Sequence, residues 1–466
     1  MPLSQLHSPA SVVSLRKCTC ATRLATIREC VQEGRTVTSG PRQLYPRGTG
    51  NFESASENTL MQSNNFLNVL VRSRLHAMHN RPSRLHKRCF SKWFVAVVSI
   101  SCFLIVLLTY QNSTQQGCRK FAFMKNHKCA SSTIENIIFR FAHKNKLNVV
   151  LPKSGNYLSR TELFDHSSLN TTKWKNVEFD IFSLHNRWNK KEVMALLRED
   201  VPTFTIVRDP VQVFKSMFHY LQPQFGKFYG ARDIHEMVVI IQNGSSPLLN
   251  KRAGKLFGRN QMAWDMGLSP EIFHDEIAIT EEIERLDREF DLVMVANRME
   301  ESLVLLKHLL NWPLENVVHL NLNRRKPEKS SVVSIEEREV LSDWLAADVR
   351  IFEHFSRRFD ERVAEFNRKH STMPAFLSGL FEMESAMERE KQLLEEANKQ
   401  LYDTCVVQEL GNEKLKGAFK EFNNNIMGFV VNKKHEWCAL YAMKEHAYLK
   451  IFRDLLLSRT MRSNRN

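Results

Sequence analysis

Residues Lys125-Asn126-His127-Lys128-Cys129-Ala130-Ser131-Ser132-Thr133 concentrate groups that bind anions. Two lysines bring charge and three consecutive hydroxyls bring hydrogen-bond donors. An apolar helical pattern starts directly after them, so the free N–H groups at the start of that helix join the set. Such a set suits a phosphate or a sulfate. The stretch has no glycine and so is not the G-x-x-x-x-G-K-[ST] loop, which argues against an ATPase or kinase of that class. At this point a solvated basic loop accounts for the same residues equally well. A second stretch, TIVRDPVQVFKSMFHYL, puts Arg208 at the end of an apolar run and Ser216 eight residues later, two helical turns on. An arginine fork and a hydroxyl in that relation can share one phosphate.

Both stretches sit at junctions between a strand pattern and a helix pattern. KFAFMK (residues 120–125) reads as a short buried strand, and TIENIIFRFAHKNK, with apolar residues at 134, 137, 138 and 141, reads as a helix. VPTFTIV (residues 201–207) is a second β-rich run; Arg208-Asp209-Pro210 breaks it, and a helix follows with Pro210 in its first turn. FDIFSL (179–184) and FDLVMVA (290–296) are further strand candidates, the latter followed by the amphipathic ESLVLLKHLL. Alternation of this kind predicts an α/β fold with a central parallel sheet flanked by helices, and ligands bind such sheets at the carboxyl ends of the strands. Residues 335–370 and 376–405 are strongly helical with interleaved charges. They read as a solvated helical surface packed on the sheet in preference to a dimerising coiled coil, and a homodimer stays open.

The formal charge of +15 does not point to nucleic acid. Residues 1–92 hold 14 Lys and Arg against 4 Asp and Glu, a net +10, which leaves +5 for everything else. From Trp93 to Tyr110 no residue is charged, and 18 helical residues reach about 27 Å, close to a bilayer's hydrocarbon thickness. Arg81, Arg84, Lys87, Arg88 and Lys92 precede that run and no charge follows until Arg119, so the positive-inside rule places the N-terminus in the cytoplasm and the bulk of the chain in the lumen. The expected organisation is a basic, largely disordered cytoplasmic tail (1–92), one transmembrane signal-anchor helix (93–110), a short stem (111–119), a catalytic domain (120–370) and a helical C-terminal part packed on it (371–466). Translation from Met78 would shorten the tail. N-x-S/T sequons at Asn112, Asn170 and Asn243 all follow the span, where lumenal glycosylation is available. Cys405 and Cys438 are a candidate bridge, and no cluster has metal-ligand spacing.

The two anion-binding stretches, in this order and in these settings, resemble the 5′-phosphosulfate loop and the 3′-phosphate site of sulfotransferases. From about Phe121 to Asp360 the chain is similar to the galactose 3-O-sulfotransferases, the group containing galactosylceramide sulfotransferase. Their loop reads approximately K-T-H-K-T-[AG]-S-S-T, and FSLHNRW, FGRNQMAWDMGL and ESLVLLKHLLNW match as well. Asn126 and Cys129 depart from the family's threonines. The resemblance implies a P-loop-like sulfotransferase fold in a Golgi type II membrane protein. Its donor would be 3′-phosphoadenosine 5′-phosphosulfate (PAPS), no metal would be required, and a galactose-terminated glycolipid or glycan would be the acceptor.

It implies that Lys125, Lys128, Ser131, Ser132 and Thr133 hold the 5′-phosphosulfate, that Arg208 and Ser216 hold the 3′-phosphate, and that Lys128 neutralises the leaving group. A sugar hydroxyl needs a base, for which His185 is the first candidate and His127 the second. Arg259 and Asn260 are candidates for substrate contact, with a structural turn as the competing role. Trp188 and Trp264 offer faces for a pyranose, against a plainer role as buried core. Two other functions fit less closely: sulfation of another sugar hydroxyl, as in a glycosaminoglycan, and a non-catalytic glycan-binding protein that retains the fold.

Overall fold

The computed structural model describes residues 117–169, 177–225, 228–244, 246–326, 332–371, 384–421 and 423–463. The expected tail, the anchor at 93–110, the stem up to residue 116, Met78 and the sequons at Asn112 and Asn170 lie outside the described residues. Among the described residues no helix is long and apolar enough to cross a membrane. Asn243 is exposed at the end of its helix.

In chain order the sheet and its first helices are β1 (Phe121–Met124), α1 (Ser131–Asn145), β2 (Ile181–Phe182), α2 (Lys190–Leu197), β3 (Thr203–Val207) and α3 (Pro210–Phe225). There follow α4 (Ile234–Asn243), α5 (Gln261–Asp265), α6 (Glu276–Glu289), β4 (Leu292–Val295), α7 (Met299–Leu309) and α8 (Leu314–Val317). The remainder comprises α9 (Ile335–Trp344), α10 (Ala346–His370), α11 (Ala386–Cys405), β5 (Val406–Gly411), β6 (Met427–Val431), α12 (Cys438–Ala442) and α13 (Glu445–Ser463).

Four strands form one parallel sheet in the order β2-β1-β3-β4. Every residue of β1, β3 and β4 is buried, which is why these strands read as unbroken apolar runs and not as alternating ones. Phe123 and Phe204 stack across the β1–β3 pair with ring centroids 5.4 Å apart, and Phe121 meets Trp312 edge-on at 5.5 Å. The register Ala122↔Thr203 to Met124↔Thr205 brings the ends of β1 and β3 to the same edge. There β1 runs into the Lys125–Ala130 loop and β3 into Arg208. Pro210 opens α3, and the Asp209 carboxylate accepts from the Gln212 N–H to cap it.

Three expectations change in detail. Only Ile181 and Phe182 of FDIFSL pair in the sheet; the chain beyond them leaves the ladder and reaches Tyr157 and Leu163 through single bridges at His185 and Arg187. The C-terminal part is not wholly helical, because β5 and β6 form an antiparallel hairpin between α11 and α12. The 335–370 helix breaks at Leu345, where α9, opened by a Ser334–Glu337 capping box, gives way to α10.

Cys405 and Cys438 are joined in a disulfide that ties the end of α11 to α12. Beyond it, Tyr448 and Phe452 of α13 pack on Phe139 of α1 at 5.5 and 5.3 Å. Replacing both cysteines by serine is expected to lower stability by about 2–4 kcal/mol in urea denaturation, because the unfolded chain regains the loop entropy that the bridge removes. A change below about 0.5 kcal/mol would mean that this packing holds the C-terminal segment unaided.

Candidate active site

The anion-binding loop is built to present backbone. Lys128 (φ 61°) and Ala130 (φ 59°) both lie in the left-handed region, a conformation that costs a non-glycine residue about 1–2 kcal/mol. The Ser131 hydroxyl donates to the Asn126 carbonyl at 2.7 Å and closes the loop. No side chain caps α1 and no acidic residue stands in its first turn, so the positive end of its dipole remains open to an anion. Ser132 is half-buried there and Thr133 is buried.

Cations converge on the same edge. The Lys128 ammonium lies 4.0 Å from the centre of the Tyr220 ring, and Arg208 donates to the Lys128 carbonyl at 3.1 Å. Arg325, from the chain after β4 and α7, donates to the Lys215 carbonyl on α3. Burial, followed by the charges of Arg325 and Arg208, pulls the Lys128 ammonium down to about 8. Burial, Arg325 and Arg208 lower Lys215 as well. The Glu421 carboxylate acts in the opposite direction on Lys128 and offsets part of that shift. Like charges crowded together where water is partly excluded repel one another, and a phosphate-bearing ligand would relieve that repulsion. Ser216 is half-buried on α3, one position after Lys215.

Lys125 is placed differently from the expectation. Its ammonium is buried between Glu135, at 2.6 Å, and Glu445, at 2.8 Å. Those carboxylates outweigh the cost of burial and raise its pKa. Its side chain thus anchors the base of the loop. The departures from the family pattern also point inward. Asn126 donates to the Ile206 carbonyl at 2.9 Å, tying the loop to β3. Cys129 is buried with its thiol on the His127 carbonyl, and burial pushes that thiol well above its usual pKa.

Two histidines stack with ring centres 3.9 Å apart. His127 Nδ1 lies 2.8 and 3.0 Å from the Asp265 carboxylate oxygens, whose second contact is the His127 N–H at 2.8 Å. A carboxylate only accepts, so Nδ1 carries a proton, and Nε2 lies 3.0 Å from the Tyr157 hydroxyl. His185 is bonded to the Lys125 backbone, and its Nδ1 is buried without a partner. Nδ1 is therefore the ring nitrogen left for a further hydrogen bond. Burial, then His127 and Lys125, hold its pKa well below the ordinary histidine value, so the ring is neutral in mildly acidic water.

Arg259 and Asn260 hold this constellation from outside. The Arg259 guanidinium donates to the Trp344 carbonyl and meets His274, while Asn260, buried in the left-handed region, accepts the Asp348 N–H. The Asp348 carboxylate accepts the Met262 and Ala263 N–H groups at the start of α5, and burial raises its pKa to about 7. The far end of α5 carries Asp265. Gly267 follows, where a Cβ would meet the Trp188 carbonyl at 2.5 Å. Trp188 is buried core with its indole N–H on Glu289, and Trp264 lies between the Arg187 and Arg252 guanidinia. The sequence reading passed over Asp265, Tyr157, Lys215 and Arg325. A lone carboxylate in the apolar MAWDMGL was the available signal for the first; nothing local marks the others. Asp165, His166 and Glu192 also approach to within 4.8 Å, but His166 is bonded to Glu192 and Asp165 caps the turn at Ser167.

The galactose-3-O-sulfotransferase family model matches residues 85–433. Mouse galactosylceramide sulfotransferase is 29% identical over 304 residues, covering 65% of this chain and 68% of the mouse protein. Human galactose-3-O-sulfotransferase 2 is 34% identical over 239 residues, covering 50% of this chain and 58% of its own length. Bovine galactose-3-O-sulfotransferase 3 is 28% identical over 298 residues, covering 61% and 63% respectively. The chain belongs to the galactose-3-O-sulfotransferase family and is a carbohydrate sulfotransferase.

A buried, protonated thiol does not react as a nucleophile. Cys129 in the native protein is therefore expected to resist iodoacetamide at pH 8 and to be alkylated only on unfolding, as read by peptide mass spectrometry. Labelling at the rate of an exposed thiol would contradict its inward placement.

Proposed function

We propose that this enzyme transfers the sulfuryl group of PAPS to the 3-hydroxyl of a galactose residue on a glycolipid or a glycoprotein glycan. The observation that carries the proposal is the convergence of Lys128, Arg208 and Arg325 beside the uncapped start of α1. PAPS supplies the sulfuryl group and the bisphosphate that fits such a cluster. Lys128, Ser132, Thr133 and the N–H groups opening α1 hold the 5′ side, and Ser131 shapes the loop. Arg208 and Ser216 hold the 3′-phosphate, with Arg325 and Lys215 as further cations. Lys128 neutralises charge on the departing phosphate oxygen.

His185 Nδ1 takes the proton of the galactose hydroxyl as its oxygen bonds to sulfur and the bond from sulfur to the phosphate oxygen breaks. His127, oriented by Asp265, positions the reacting groups. A membrane anchor with a lumenal, Golgi catalytic domain is part of the same proposal. The sequence of the 93–110 run, the Cys405–Cys438 bridge and the exposed Asn243 sequon support it.

Lys128 sets the pH dependence of nucleotide binding. Its pKa of about 8 leaves it charged at lower pH, and a bound anion raises that pKa. Affinity for 3′-phosphoadenosine 5′-phosphate, measured by calorimetry, is expected to be level below pH 8. Above it the affinity should fall by up to about tenfold per unit. In Lys128→Met the fall disappears, and a wild-type affinity that stayed level to pH 9.5 would remove Lys128 from the phosphate site. Arg208→Ala is expected to cost about 1.5–3 kcal/mol of nucleotide binding.

The deciding assay is sulfate transfer from radiolabelled PAPS to galactosylceramide, a lactose-type oligosaccharide and a desulfated glycosaminoglycan side by side. Label mapped to a galactose 3-hydroxyl is the expected result; label on the glycosaminoglycan alone would overturn the acceptor. His185→Ala is expected to reduce turnover at least about 100-fold with nucleotide binding intact. Because His185 is neutral well below pH 6.5, its ionisation leaves the rate level through that value. Normal turnover in His185→Ala would move the base to His127.

A further inference from the structure

The family match ends at residue 433, yet the chain beyond it reaches into the site. Between α12 and α13 the turn Met443–Glu445 touches three parts of the donor region. Glu445 lies 2.8 Å from the Lys125 ammonium, at the base of the anion loop. Lys444, itself buried, donates from Nζ to the Asn323 side chain at 2.6 Å, and Asn323 stands two residues before Arg325. Asn136 of α1 donates to the Leu440 and Met443 carbonyls at 3.0 and 3.1 Å. Lys444 and Glu445 line a narrow cleft together with Ser132, Glu135, Asn323 and Glu421. Three carboxylates in that lining disfavour an anion inside it, so the turn acts through what it holds.

We propose that Glu445 and Lys444 are positioning residues for sulfuryl transfer, a clasp that sets the separation between the anion loop and the segment carrying Arg325. One arm is Glu445 on Lys125; the other is Lys444 on Asn323. Lys125 passes the constraint on directly, because its backbone bonds His185 and the next residues lead to His127 and Lys128. A buried ion pair adds little net stability, but it favours one arrangement: Lys125 would keep Glu135 if the turn moved away, whereas the Glu445 carboxylate would lose its cation. The Cys405–Cys438 bridge anchors the segment that carries the clasp.

The proposal rests on the donor-site reading above, and the two can be tested separately in the full chain. The measurements are calorimetric affinity for 3′-phosphoadenosine 5′-phosphate, KM for PAPS, kcat on a β-galactoside and the thermal midpoint. They are made on Glu445→Gln, Glu445→Asp and Arg208→Ala. A clasp predicts that Glu445→Gln weakens nucleotide affinity and raises KM for PAPS by about 10-fold or more in folded protein, with Glu445→Asp recovering most of the loss. A lower midpoint with unchanged affinity, KM and kcat would make Glu445 a structural residue only and overturn the clasp. If Arg208→Ala weakens binding and Glu445→Gln does not, the clasp fails and the donor site stands. If neither weakens it, both fail. Should Glu445→Gln not fold, Asn323→Ala loosens the other arm; a rise of at least about threefold in KM for PAPS supports the clasp and an unchanged KM overturns it.

Discussion

Parallel pairing of β1 with β3 is the constraint on which the rest depends. Neither anion-binding stretch is sufficient alone: one is a loop before an uncapped helix, the other an arginine at the end of a strand. The register from Ala122↔Thr203 to Met124↔Thr205 ends both strands at one edge, so that Arg208 reaches the Lys128 carbonyl. The buried phenylalanines of the two strands hold that register, because a one-residue slip would turn each of them to the wrong face of the sheet.

Charge crowding sets this edge apart from the rest of the surface. Lys128, Arg208 and Arg325 repel one another where water is partly excluded, and the depressed pKa of Lys128 records the cost. Several other buried charges have a partner. Lys125 has Glu135 and Glu445, Asp265 faces His127, and Asp348 takes two amide N–H groups at the start of α5.

The supporting latches carry the same logic outward. Arg187 donates to the Trp264, Thr161 and Leu268 carbonyls, fastening the chain after β2 to α5 and its following turn. Arg259 does the same for Trp344. These bonds hold the FGRNQMAWDMGL segment, whose Asp265 contacts His127, in its place.

The sequence by itself determined the α/β alternation, the two anion-binding stretches and the family. Strand-to-helix junctions and apolar periodicity are local properties, and the loop from Lys125 to Thr133 is contiguous. What tertiary structure decided is which of the groups in those stretches are spent internally. No local signal showed that Lys125 would be consumed by Glu445, 320 positions away, or that Asn126 would turn to β3. Nor did any signal show that Arg325 would join Arg208, or that Asp265 would contact His127. Each of these is a long-range pairing whose energy comes from burying charge or a polar group beside its complement. Only the folded chain defines what is buried and what stands beside it.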